Sequence, residues 1–77
     1  MDKQEKKRDM RVLMAAAMKI VEEITSRMED PVENVTVERS RYSARLFVDV
    51  QNDKRMIYRY DDALAAFAHE KTVSLWD

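Results

Sequence analysis

The chain contains no glycine and no cysteine, one proline and one histidine. Without glycine, devices that need a positive φ or a backbone free of Cβ are excluded: the phosphate-binding loop, the dinucleotide fingerprint and the nucleophile elbow. The nucleotide-binding and hydrolase classes built on them go too. Without cysteine there is no disulfide, and with His69 as the lone histidine neither a Cys/His dyad nor a zinc site of ordinary ligands can be assembled. Missing cysteine is compatible with a reducing compartment, though many secreted proteins lack it too; cytoplasmic is the default expectation. Long apolar runs are missing as well, since no stretch approaches the ~18 residues of a membrane span. The start, MDKQEKKRDMRVLMAAAMKIVEE, sets charges before an apolar run as a secretory leader does. Lys19, Glu22 and Glu23 then follow at helical spacing, so it reads as an amphipathic helix.

Catalytic constellations are equally scarce. Ser26, Ser40, Ser43 and Ser74 have no nucleophile motif around them. The adjacent carboxylates Glu22–Glu23, Glu29–Asp30 and Asp61–Asp62 read as helix faces and caps, and a glycosidase-type pair would need a cleft that so small a domain can hardly build. No enzyme activity, cofactor, metal or small-molecule substrate is expected.

What is present fits one small domain, residues 1–77. A core of this size supplies only about 3–5 kcal/mol, so self-association is a reasonable way to add buried area. Fourteen Lys/Arg against fifteen Asp/Glu give a net charge of −1, which argues against a general polyanion binder. The charge is banded, however. Between residues 39 and 59, Arg39, Arg41, Arg45, Lys54, Arg55 and Arg59 outnumber Asp49 and Asp53; residues 22–38 and 61–77 are acidic, with Arg27 and Lys71 as their lone basic residues. Such a dipolar surface suits a complementary protein partner.

The spacing predicts a long helix from about Lys3 to Glu29, with residues 1–8 frayed or projecting. Met10, Leu13, Ala17, Ile20 and Ile24 form an apolar stripe flanked by Met14, Val21 and Met28. Pro31 forbids continuation. The stripe is roughly 27 Å long, more than three short strands are wide. Met10, Met14, Ala17, Ile20, Val21 and Ile24 are therefore candidates for pairing with a second copy.

Alternation then marks strands. Val35 and Val37 share a face with Ala44, Leu46, Val48 and Val50. A turn at Ser40–Arg41 pairs Val37 with Ala44 and Val35 with Leu46. A three-residue loop, Asn52–Asp53–Lys54, pairs Val50 with Met56, Val48 with Tyr58 and Leu46 with Tyr60, whereas a two-residue turn would mix core with charge. The opposite face collects Thr36, Glu38, Ser43, Asp49 and the candidate partner-binding residues Arg45, Phe47, Arg55, Ile57 and Arg59. This register sets Phe47 opposite Arg59 and Arg45 opposite Thr36. Asp61 and Asp62 then cap a helix through DALAAFAHEK, with Leu64 and Phe67 inward, Ala63 and Ala68 at close contacts, and His69 and Lys71 complementing its dipole. The tail TVSLWD reads either as a short edge strand or as an extension of that helix, and Trp76 as a lid on the core or a partner anchor.

The order helix, three-stranded meander, helix is similar to that of the double-stranded-RNA-binding domain. The likeness implies a small nucleic-acid-binding module working through the basic sheet face. The chain departs from that family in lacking its loop glycines, and where its second helix starts with lysines this chain has Asp61–Asp62–Ala63, which would repel phosphates. The stretch RLFVDVQNDKRMIYRYDDALAAFAHEKTVSLWD resembles the C-terminal part of the flagellar accessory family FlaG. Shared features are an alternating strand ending near an acidic turn, a second short strand, an acidic helix start and a final apolar run closing on Asp77. The turn glycine and the Ile-Pro of that family are missing. That likeness implies a flagellar accessory protein.

The expectation is thus a two-layer α+β domain of order α-β-β-β-α, with a short fourth strand as the alternative for the tail. Both helices would cover the Val/Leu/Tyr face. Its function would be non-catalytic: binding a protein partner and a second copy, through the long helix or the Arg/aromatic face, with nucleic acid as the competing ligand and no membrane.

Overall fold

The computed structural model describes residues 9–27 and 31–75. One helix, α1 (Met10–Arg27), precedes four strands, β1 (Val32–Arg39), β2 (Ala44–Val50), β3 (Lys54–Asp61) and β4 (Ala66–Ser74). The strands form one antiparallel sheet in the order β1-β2-β3-β4. The expected fraying of residues 1–8, the helix ends at 3–9 and 28–29 apart from Asp9, and Trp76 lie outside the described residues.

Helix α1 starts where its sequence offers a cap. The Asp9 side chain accepts the Arg11 N–H at 2.9 Å, and its carbonyl accepts the first helical bond from Leu13 at 3.0 Å. The Arg11 backbone N–H, chiefly, holds the Asp9 carboxyl below the usual carboxylate range. The helix packs on both edge strands and on β2, so it crosses the sheet. Leu13, Ala16, Ala17 and Ile24 are buried against Ala44, Leu46, Val48, Val50, Tyr58 and Phe67. Leu13, Leu46, Val48 and Val50 have essentially no exposure. Strand β2, hydrogen-bonded on both edges and covered by α1, is the centre of this core. Burial pushes the Tyr58 phenol up from its ordinary pKa, and Glu23 of α1 adds to the effect.

Both hairpins sit two residues away from the expected register. Val37 pairs with Leu46 and Val35 with Val48; Val50 pairs with Lys54, Val48 with Met56 and Leu46 with Tyr58. In the first, Ser40 and Ser43 close the loop: the Ser40 N–H donates to the Ser43 carbonyl at 2.8 Å, and the two hydroxyls lie 2.8 Å apart. In the second, the loop is Gln51–Asn52–Asp53. Asn52 (φ 75°) and Asp53 (φ 58°) take the left-handed positions, which their short polar side chains tolerate better than the Lys54 of the expected loop. A slip of two leaves every side chain on its expected face.

The expected C-terminal helix is not there; the fourth strand is. Asp61 does cap a turn, its Oδ1 accepting the N–H groups of Ala63 at 2.9 Å and Leu64 at 3.3 Å. The chain then reverses at Ala65, whose φ is 50°. Leu64 is left exposed instead of inward. Strand β4 docks through two edge-to-face ring pairs, Tyr60 on Phe67 and Tyr58 on His69, each with centroids 5.3 Å apart. Glu70 is an extra residue in the ladder, because Tyr58 pairs with His69 and Ile57 with Lys71. This bulge brings residues three apart to one face, and His69 Nε2 lies 2.9 Å from Thr72 Oγ1. His69 and Lys71 thus serve a strand and not a helix dipole, and one helix covers the core face.

An alanine in the left-handed region costs energy that glycine does not, whereas glycine inside a helix costs about 1 kcal/mol relative to alanine. Ala65→Gly should therefore raise the stability by about 0.5–1 kcal/mol in urea denaturation. A loss of about 1 kcal/mol instead would mean that residues 62–71 are helical.

Candidate protein-interaction face

The face of the sheet turned away from α1 is a lattice of side chains in register. Across the four strands run Glu38–Arg45–Arg59–Ala68, then Thr36–Phe47–Ile57–Lys71, then Asn34–Asp49–Arg55–Val73. None of these residues is buried, and Phe47 and Ile57 in the middle are half-buried by their neighbours alone. The five expected partner-binding residues, Arg45, Phe47, Arg55, Ile57 and Arg59, therefore share one open surface.

Their charges differ in state. Arg55 donates to Asp49 twice, Nε to Oδ1 at 2.6 Å and Nη2 to Oδ2 at 3.1 Å, a bidentate pair that neutralises both groups. The Arg55 guanidinium also lies 5.5 Å from the Phe47 ring centroid. So Phe47 carries Arg55 and faces Ile57, and the expected pairing of Phe47 with Arg59 is not made. The guanidinium holds the Asp49 carboxyl below the usual carboxylate range; burial opposes the shift, and the nearby Asn34 amide supports it. Arg45 faces Arg59 directly, with Glu38 and not Thr36 on its other side. Among the described residues neither arginine makes an ion pair, so two like charges stand opposite each other on neighbouring strands, a placement that costs energy.

Lys71 and Val73 complete the surface; the sequence placed Lys71 in a helix and left Val73 in a tail read as either an edge strand or a helix extension. The β-branched pair Thr72–Val73 was the available signal. On α1 the expected pairing stripe divides. Ala17 and Ile24 are buried in the chain's own core, Ile20 and Val21 are half-buried, and Met10 and Met14 are exposed, as is Met18. A shallow depression of about 400 Å³ lies beside the β3–β4 turn, lined by Arg59, Tyr60, Asp61, Asp62, Ala63 and Ala68. Among the described residues, no three His, Asp or Glu side chains gather to hold a metal, and no helix is long and apolar enough to cross a membrane.

No family model, curated protein or solved structure matches the chain. The second helix on which both family likenesses draw is replaced by β4.

The pH dependence of stability follows from the Asp49–Arg55 pair. The folded pKa of Asp49 lies below its unfolded value of about 3.9, so the pair stabilises the fold above that pH and the contribution is lost as pH falls through the folded pKa. Asp49→Asn should be less stable than the wild type at neutral pH, and the gap should close as pH falls through the folded pKa of Asp49. Urea midpoints measured along that series check this; a gap that stays constant with pH would show that the carboxylate does not carry it.

Proposed function

We propose that the protein is a non-catalytic docking module that binds an acidic segment of a partner protein on the outer sheet face. The observation that carries this reading is the Arg45–Arg59 pair, held in register at a cost in folding energy and beside a half-buried apolar centre. A partner carboxylate set between the two guanidinium groups relieves their repulsion and accepts hydrogen bonds from both. A neighbouring aromatic or aliphatic side chain of the same segment covers Phe47 and Ile57. Apolar contact and paired charge together give such a site both its affinity and its selectivity. Lys71 extends the basic rim, while the Asp49–Arg55 pair is already satisfied and acts as a wall.

Nucleic acid is the competing ligand, and among the described residues Phe47 is the single aromatic on this face over which a base could stack. The overall charge of −1 favours the acidic peptide, because a strand of phosphates would also meet Glu38 and the acidic turn at Asp61–Asp62.

Selection from a displayed peptide library checks the proposal. The wild-type protein should enrich segments with two or more acidic residues next to an apolar one, and Arg45→Glu combined with Arg59→Glu should weaken a selected peptide by about tenfold or more. The circular dichroism of that variant should match the wild type. Equal binding by the variant would contradict the site, and tight oligonucleotide binding that falls steeply with salt would contradict the ligand.

A further inference from the structure

Among the described residues, each end of the sheet leaves a row of backbone groups unpaired. Strand β4 is blunted by its bulge at Glu70 and by the charged Lys71 beside it. Strand β1 is regular from Asn34 to Arg39 and lacks such protection in its middle. The Ser40 N–H donates to the Ser43 carbonyl. Counting back in steps of two, Glu38 and Thr36 hydrogen-bond to β2, so Val35 and Val37 turn their N–H and C=O groups to the open edge. Val35 is 36% exposed although it sits on the helix side of the sheet.

We infer that this edge pairs with the same edge of a second copy, antiparallel about a two-fold axis at Thr36. The choice of occupant comes from the sequence of the strand. A two-fold at Thr36 sets Val35 against the partner's Val37 on the helix side. On the outer side it sets Thr36 against the partner's Thr36, and Asn34 against the partner's Glu38, an amide donor to a carboxylate. Shifting the axis to Val37 sets Arg39 against the partner's Val35. A shift by one residue places valine against the polar face. The joined sheet has eight strands, both helices on one side and two outer faces continuous on the other. This inference stands apart from the acidic-peptide reading, since the outer face stays open in the dimer.

The chain has no cysteine, so a single introduced thiol reports its own neighbour without interference. Thr36 occupies a position that does not hydrogen-bond across the new edge, where facing Cα atoms are about 4.5 Å apart and a disulfide fits. Thr36→Cys should form a symmetric disulfide dimer at least ~10-fold faster than Met14→Cys, because the pair is preassembled. Adding Val35→Pro to Thr36→Cys removes an outward N–H while sparing the bonds to β2, and should abolish that advantage; circular dichroism confirms that the variant is folded. Light scattering of the wild type should give a dimer. A wild-type monomer, equal crosslinking rates, or faster crosslinking at Met14 would each overturn the inference.

Discussion

One helix can cover one face of a sheet, and the sheet of this chain has two. That constraint organises the molecule. Helix α1 is spent on the valine and leucine side, where it shields Leu46, Val48 and Val50 from water. Nothing among the described residues covers the other side. A surface in that position must be stable in water by its own lateral contacts, and here those are a bidentate ion pair, an arginine laid over Phe47 and the Phe47–Ile57 contact. Arg45 and Arg59 are the exception, since their placement opposes folding. Surfaces tend to carry such costs where a ligand repays them.

The open face is four strands wide because Ala66–Ser74 is a strand. Its local signals point the other way: alanine-rich, with an acidic cap at Asp61 and a histidine and a lysine where a helix would end. The cap forms, but it stabilises a single turn. Beyond Ala65, tertiary contact decides the outcome, as Phe67 and His69 gain ring partners on β3 that a helix would not offer them in the same register. Pairing also satisfies the free edge of β3, which would otherwise be left open.

The sequence was most informative where a period of two is unbroken. Which residues of β2 and β3 face the core, and which share the outer surface, followed from alternation alone. Register did not, because a shift of two residues preserves both faces and alternation cannot detect it; the tolerance of Asn52 and Asp53 for positive φ was the finer signal. A fourth strand was legible only as an alternative for the tail, and its first half from Ala66 was hidden by the bulge at Glu70, which breaks the alternation between His69 and Thr72. As a result Arg45, Phe47, Arg55, Ile57 and Arg59 were found from the sequence, while Lys71 and Val73 were not. The helix stripe was legible as an apolar surface. Its division into a buried row and an exposed methionine row depends on where α1 crosses the sheet, which no pattern within the helix encodes.

The four-stranded sheet, and with it the width of the outer face, requires that residues 66–74 pair with β3. Solution NMR of the free protein tests this most directly, through the backbone chemical shifts of Ala66–Ser74 and the cross-strand contact between Arg59 and Ala68. The account predicts strand-like shifts on both sides of the Glu70 bulge, with the Arg59–Ala68 contact present. Helical shifts running from Asp62 to Lys71, with that contact missing, would contradict it, since a second helix would remove Lys71 and Val73 from the outer surface.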